Sequence, residues 1–209
     1  MAHVVFIIGN IASGKSTACK YLQSLGARLI DLDVVAKDLY IPGSPIVQDL
    51  VDVFGWDILN EDGGVAFSAL AARAFDTPEA TARLNAIVHP AVKEQLATMV
   101  FPVACCSTVI PQHELTVVEV SVAAAFTDSF GLADEVIAVT APLSVRRVRA
   151  VERGMSPDDF DARSLKQPDE DTLCSWADVI IDNERADDSL FGQLDAWLDR
   201  SGIKLEGRR

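Results

Sequence analysis

His3-Val4-Val5-Phe6-Ile7-Ile8-Gly9-Asn10-Ile11-Ala12-Ser13-Gly14-Lys15-Ser16 is the stretch that decides the fold of this chain. It opens with an apolar run, His3–Ile8, which reads as a strand buried on both faces, as in a parallel sheet. Gly9–Ser16 then matches G-x-x-x-x-G-K-S/T at every fixed position. The glycines let such a loop wrap around phosphate oxygens, and its successive N–H groups point inward at a helix N-terminus. Lys15 is expected on the β- and γ-phosphates of a nucleoside triphosphate, and the Ser16 hydroxyl on Mg²⁺. The context such a loop needs is present: a buried strand before it and a helix, Lys15–Leu25, after it, with Gly26 as the stop. Gly9, Asn10, Ile11, Ala12, Ser13, Gly14, Lys15, Ser16 and Thr17 are the expected nucleotide-binding residues.

Outward from the loop, four more short apolar runs read as strands: Arg28–Asp31, Leu115–Val120, Glu135–Thr140 and Val179–Asp182. Helical patterns separate them, which predicts an α/β protein, a P-loop three-layer fold on a five-stranded parallel sheet. One connection is too long for a simple crossover. Between the second and third strands, Pro42-Gly43-Ser44-Pro45 punctuates a loop, Thr77-Pro78-Glu79 reads as an N-cap with Pro at N1, and His89-Pro90 reads as a further boundary. The expected organisation is a nucleotide-binding core, 1–31 and 115–209, carrying a mainly helical insertion, 32–114. Insertions at the carboxyl ends of strands sit where such folds bind ligands. The tail Ile203–Arg209 reads as frayed.

Several residues outside the loop suit phosphoryl chemistry. Asp31-Leu32-Asp33 follows the second strand, where a carboxylate either orients an acceptor hydroxyl or caps a helix Val34–Tyr40. A carboxylate is a weak base at neutral pH, which loose phosphoryl transfer tolerates. Glu119, ending the third strand, is either a ligand in the outer sphere of the metal or an ordinary strand-end carboxylate. On a helix Ser144–Arg153, the residues Arg146, Arg149 and Arg153 share an arc of roughly 60° at about 100° per residue. They form either a basic cluster that stabilises a transferring phosphoryl group or a solvated face. Ser156-Pro157-Asp158-Asp159 starts a short polar helix, so that about 154–172 reads as a helical lid that excludes water. His89 reads as a boundary or satisfied core histidine.

Composition narrows the class. The chain has 209 residues, 49% of them hydrophobic, and a net charge of −13. That acidity argues against a polynucleotide partner, and it requires a local cluster of cations and a metal ion wherever a nucleotide binds. Cys19, Cys105, Cys106 and Cys174 lack disulfide or zinc spacing and read as buried free thiols. The N-terminus lacks the features of a signal peptide and the apolar runs are too short to span a bilayer. A cytoplasmic protein without membrane contact, a monomer or a weak homo-oligomer, is expected.

The residues resemble one family, the dephospho-coenzyme A kinases, from about Val5 to about Trp197. The resemblance rests on Gly9–Thr17, Leu25-Gly26-Ala27, Ile30-Asp31-Leu32-Asp33, Pro42-Gly43, Phe54-Gly55 and Asp62-Gly63. It continues in Leu84-Asn85-Ala86-Ile87-Val88-His89-Pro90, Arg149 with Arg153, Arg163 with Gln167, and Ala177-Asp178-Val179-Ile180-Ile181-Asp182-Asn183. It implies an ATP- and Mg²⁺-dependent transferase of coenzyme A biosynthesis that phosphorylates the ribose 3′-hydroxyl of dephospho-coenzyme A. By position, Asp33 is the implied general base, Lys15 the γ-phosphate ligand, and Arg149 and Arg153 the transition-state clamps. The insertion with His89 becomes the acceptor-binding domain, Asn183 lies near the implied adenine pocket, and Ser16 with Glu119 serves the metal. The chain departs from the family pattern at Ala66-Phe67, at Glu119-Val120-Ser121-Val122-Ala123 where an Asp and a Pro-Leu-Leu segment are usual, and at Arg146, usually glutamine. Two other readings share the loop: a kinase for another nucleoside, nucleotide or sugar-like acceptor, and an ATP-binding paralogue without transfer activity.

Overall fold

A computed structural model describes residues 2–101, 113–185 and 187–207; Cys105 and Cys106 lie outside them. Strands β1 (His3–Ile8), β2 (Arg28–Asp31), β3 (Leu115–Glu119), β4 (Glu135–Thr140) and β5 (Val179–Asp182) form one sheet in the order β2-β3-β1-β4-β5. All four pairings are parallel. Hydrophobicity explains the order, because β1 and β3, flanked on both edges, are almost wholly buried, whereas the edge strand β5 exposes Ile180 and Asp182. The register sets Ile7 opposite Glu119 and Glu119 opposite Asp31. The carboxyl ends of β1, β2 and β3 are therefore level.

The chain divides into two compact units, Met1–Asp31 with Ala104–Arg209, and Leu32–Val103. In the first, α1 (Lys15–Ser24) buries Ala18, Cys19 and Leu22, and α9 (Ser189–Ser201) buries Leu190, Leu194, Trp197 and Leu198. The apolar spacing of α9 makes one stripe, which joins Val5, Ile7, Val117 and Ile137 in a single core. Helix α1 closes with the paired bonds of a Schellman motif: Gly26 N–H donates to Gln23 O (3.0 Å) and Ala27 N–H to Leu22 O (3.1 Å). The tail is not frayed as far as Gly207. Ile203 and Leu205 are buried in the same core and Gly207 N–H donates to Leu25 O at 3.0 Å, because two apolar side chains follow the turn that ends α9.

The second unit holds α2 (Leu32–Asp38), α3 (Pro45–Phe54), α4 (Phe67–Ala74) and α5 (Pro78–Val100). Thr77 caps α5 as expected, accepting the Ala80 N–H at 3.1 Å. The expected boundary at His89-Pro90 is absent: α5 runs through Pro90. An internal proline costs about 3 kcal/mol. Leu84, Val88, Val92 and Leu96 are all buried against the neighbouring helices, each contributing about 1.5–3 kcal/mol, so packing outweighs the missing N–H. His89 therefore sits mid-helix, its imidazole pKa lowered by burial and then by the nearby Lys93 charge. Ala66, at the position before α4, provides no side-chain cap, and the half-exposed Phe67 ring meets Tyr40 edge-on at 5.5 Å.

Among the described residues, no helix is long and apolar enough to cross a membrane.

Candidate active site

The β1–α1 loop requires glycine at two positions because other groups approach its backbone. A Cβ on Gly9 would stand 2.5 Å from the Val139 carbonyl oxygen, and one on Gly14 would stand 2.1 Å from Asn183 Nδ2. Gly14 also has φ +111°, a conformation that side chains disfavour. The loop's carbonyls are tied down one by one. Asn10 O accepts Ser13 N–H (3.1 Å), Ser13 O accepts Asn183 Nδ2 (2.7 Å) and Gly14 O accepts Ala18 N–H (3.0 Å). Carbonyls engaged with the protein cannot swing toward an anion, and Ala12 turns the loop with φ 60°.

Polar burial concentrates here. Asn10, Ser13, Lys15, Glu119, Arg146 and Asn183 are all under 10% exposed, and burying such groups is costly unless they serve a bond or a ligand. Ser16, in the first turn of α1, donates its hydroxyl to Glu119 Oε1 at 2.6 Å. Glu119 reaches it because the last residue of β3 lies in register with Ile7, just before the loop. One turn after Ser16, the buried Cys19 thiol is hydrogen-bonded to the same carboxylate. Its pKa is pushed far up, first by burial and then by the Glu119 charge, which favours the neutral thiol. Two buried polar atoms have no partner among the described residues and lie at this site: Ser13 Oγ in the loop and Arg149 Nη1.

The arginine helix α6 (Leu143–Glu152) splits the expected trio. Arg149 and Arg153 line a cleft with Thr17, Asn183, Arg185 and Phe191. Arg149 Nη2 donates to Arg185 O at 3.2 Å. Arg146 does not join that cluster. It is buried, and its Nε donates to Ala141 O at 3.0 Å. Burial lowers its pKa, and the Glu170 carboxylate opposes the shift. Arg146 thus turns inward, while Val148 and Val151 are exposed. Arg185 and Phe191 were not identifiable from a motif; the available signal was their place just after β5, Arg185 in the loop at the carboxyl edge of the sheet and Phe191 in the first turn of α9. Asp33 stands in the first turn of α2, two residues beyond Asp31, and α2 begins at Leu32 directly from β2 instead of at Val34. Among the described residues no cluster of three His, Cys, Asp or Glu side chains could hold a metal ion. The Ser16 hydroxyl and the Glu119 carboxylate are oxygen donors of the kind that fits Mg²⁺.

A glycine-rich phosphate loop opening a helix on a five-stranded parallel sheet, with a buried lysine and a hydroxyl–carboxylate pair at its mouth, defines a P-loop kinase. Solved structures share this fold. A crystal structure from Thermus thermophilus superposes with a TM-score of 0.73 at 27% identity, covering 95% of this chain and 97% of that one. The shikimate kinase of Acinetobacter baumannii, at 14% identity, shares the fold with a TM-score of 0.56 over 97% of this chain and 96% of its own. The dephospho-CoA kinase family model matches residues 3–188, and the chain belongs to that family. A dephospho-CoA kinase of Corynebacterium diphtheriae is 34% identical over 194 residues, 90% of this chain and 91% of the relative. The protein is accordingly an ATP-using phosphotransferase with a small-molecule substrate.

Proposed function

We propose that the chain transfers the γ-phosphoryl group of ATP to the ribose 3′-hydroxyl of dephospho-coenzyme A, giving coenzyme A and ADP. The observation that carries this reading is the Ser16–Glu119 pair at 2.6 Å beside the buried Lys15, next to a loop whose Ser13 hydroxyl has no partner among the described residues. These groups fit a triphosphate and its metal.

Residue roles follow from position. The backbone of Gly9–Thr17 cradles the phosphates, and Lys15 neutralises charge on the β- and γ-oxygens. Ser16 and Glu119 would hold Mg²⁺, which would neutralise phosphate charge. Here a glutamate stands where the family usually has aspartate, and its carboxylate accepts the Ser16 hydroxyl at 2.6 Å. Arg149, whose buried Nη1 has no partner among the described residues, and Arg153 stabilise charge on the transferred group. Asn183, which lies near the adenine in the family resemblance, braces Ser13 O. Asp33 accepts the proton of the attacking 3′-hydroxyl and orients it. The insertion 32–114 binds the acceptor, and 154–172 acts as the lid that keeps water from the γ-phosphate. We assign the protein to the cytoplasm, as a monomer or weak homo-oligomer that binds neither nucleic acid nor membrane.

An acceptor panel tests this reading. With Mg-ATP, ADP release is expected to rise strongly with dephospho-coenzyme A and to stay at the no-acceptor level with adenosine, shikimate and pantothenate. A larger response to another acceptor would reassign the substrate and keep the kinase.

A further inference from the structure

The turn between α7 (Pro157–Ser164) and α8 (Glu170–Ser175) is fastened to the tip of the phosphate loop by bonds that the reaction itself does not use. Ile11 N–H donates to Gln167 Oε1 at 2.8 Å, and Asn10 Nδ2 donates to Pro168 O at 2.9 Å. From the other side, Arg146 Nη1 donates to Ile11 O at 3.4 Å. Ile11 is therefore gripped at both its N–H and its carbonyl.

The gripping groups are themselves held. Gln167 N–H donates to Ser164 O (3.1 Å) and Lys166 N–H to Arg163 O (3.1 Å), which winds the turn. Asp169 caps α8 by accepting Thr172 N–H at 2.7 Å. Arg146 is locked to Ala141 O at the start of α6. A loop fixed from outside loses less freedom when it closes on phosphates.

We propose that Gln167 and Arg146 are positioning residues for the phosphate loop, holding Ile11 so that the loop's affinity for the triphosphate depends on the α7–α8 hairpin. The proposal rests on the reading of Gly9–Thr17 as the triphosphate site. It also gives a use to Arg146, where the family pattern has glutamine: the longer side chain spans from Ala141 O to Ile11 O. Both side chains bond the backbone of Ile11, so both act through it.

The test measures binding of Mg-ATP by calorimetry and amide hydrogen exchange over residues 9–14, in the full chain. Gln167→Ala and the similarly sized Gln167→Met are both expected to raise the ATP Kd about 5- to 20-fold, the loss of a partly buried hydrogen bond that leaves a donor unsatisfied. Both should speed loop exchange, with the melting temperature close to that of the parent. Gln167→Glu keeps an acceptor of the same length and should restore loop protection without nucleotide. Arg146→Gln combined with Gln167→Ala should be non-additive, since both grip one residue. Parental ATP affinity and loop exchange in Gln167→Met would overturn the proposal, as would a defect confined to Gln167→Ala, which would report volume instead of the bond. A chain that shows the Gln167 dependence yet transfers no phosphoryl group would overturn the kinase reading and leave this one standing.

Discussion

Lys15→Ala is expected to lower acceptor-dependent ADP release by about 10³-fold, the scale of removing one preorganised charge partner from a transition state. The reason is local. The protein carries a net charge of −13, so a triphosphate is stable only where cations and loop N–H groups are concentrated. Lys15 opens α1 and is 9% exposed, so its ammonium acts in a partly water-excluded site, where charge interactions are stronger than in solvent. Arg149 and Arg153 lie in the neighbouring cleft and cannot take its place on the loop side. Steady-state ADP release, with melting temperature as the folding control, checks the expectation. Activity within tenfold of the parent would contradict the assigned role.

Asp33→Asn is expected to reduce kcat by about 10²–10⁴-fold, the usual range for a positioned acid–base group, while ATP affinity stays within about twofold. Asparagine keeps the size and the carbonyl oxygen and loses only the charge and the capacity to accept a proton. Asp33 lies in the first turn of α2, just past the carboxyl end of β2. Its charge favours that helix terminus by less than about 1 kcal/mol, so loss of a purely helix-stabilising carboxylate would lower the melting temperature slightly and leave kcat nearly intact. The split between kcat and ATP Kd separates the two roles. A kcat within threefold of the parent would remove Asp33 as the base.

The parts of the fold that depend on short-range signals were legible in the sequence. His3–Ile8, Arg28–Asp31, Glu135–Thr140 and Val179–Asp182 are strands over the ranges read from apolar runs; for the inner strands His3–Ile8 and Glu135–Thr140 the reason is burial, which leaves a parallel strand little freedom to be anything else. Thr77-Pro78 and Ser156-Pro157 start helices as read, because capping is decided within four residues. The misreadings arose where tertiary packing overrides local chemistry. Pro90 looks like a boundary until the buried stripe Leu84, Val88, Val92 and Leu96 is packed. Ile203 and Leu205 look like a loose end until the core beneath them exists. Arg146 looks like a third surface guanidinium, because no sequence pattern shows a carbonyl at Ile11, 135 residues away, waiting for a donor. The site divides in the same way: its loop is a local motif, while the bonds from Asn183, Gln167 and Glu119 that shape it join residues more than 100 positions apart.

The most direct measurement is coupled ADP release by the purified chain with Mg-ATP and dephospho-coenzyme A, alongside no-acceptor and Lys15→Ala controls, with the product examined for a new 3′-phosphate. ADP formed one-for-one with 3′-phosphorylated product, and lost in the mutant, is the result this account predicts. Bound ATP without acceptor-dependent ADP, or phosphate appearing elsewhere on the acceptor, would contradict it.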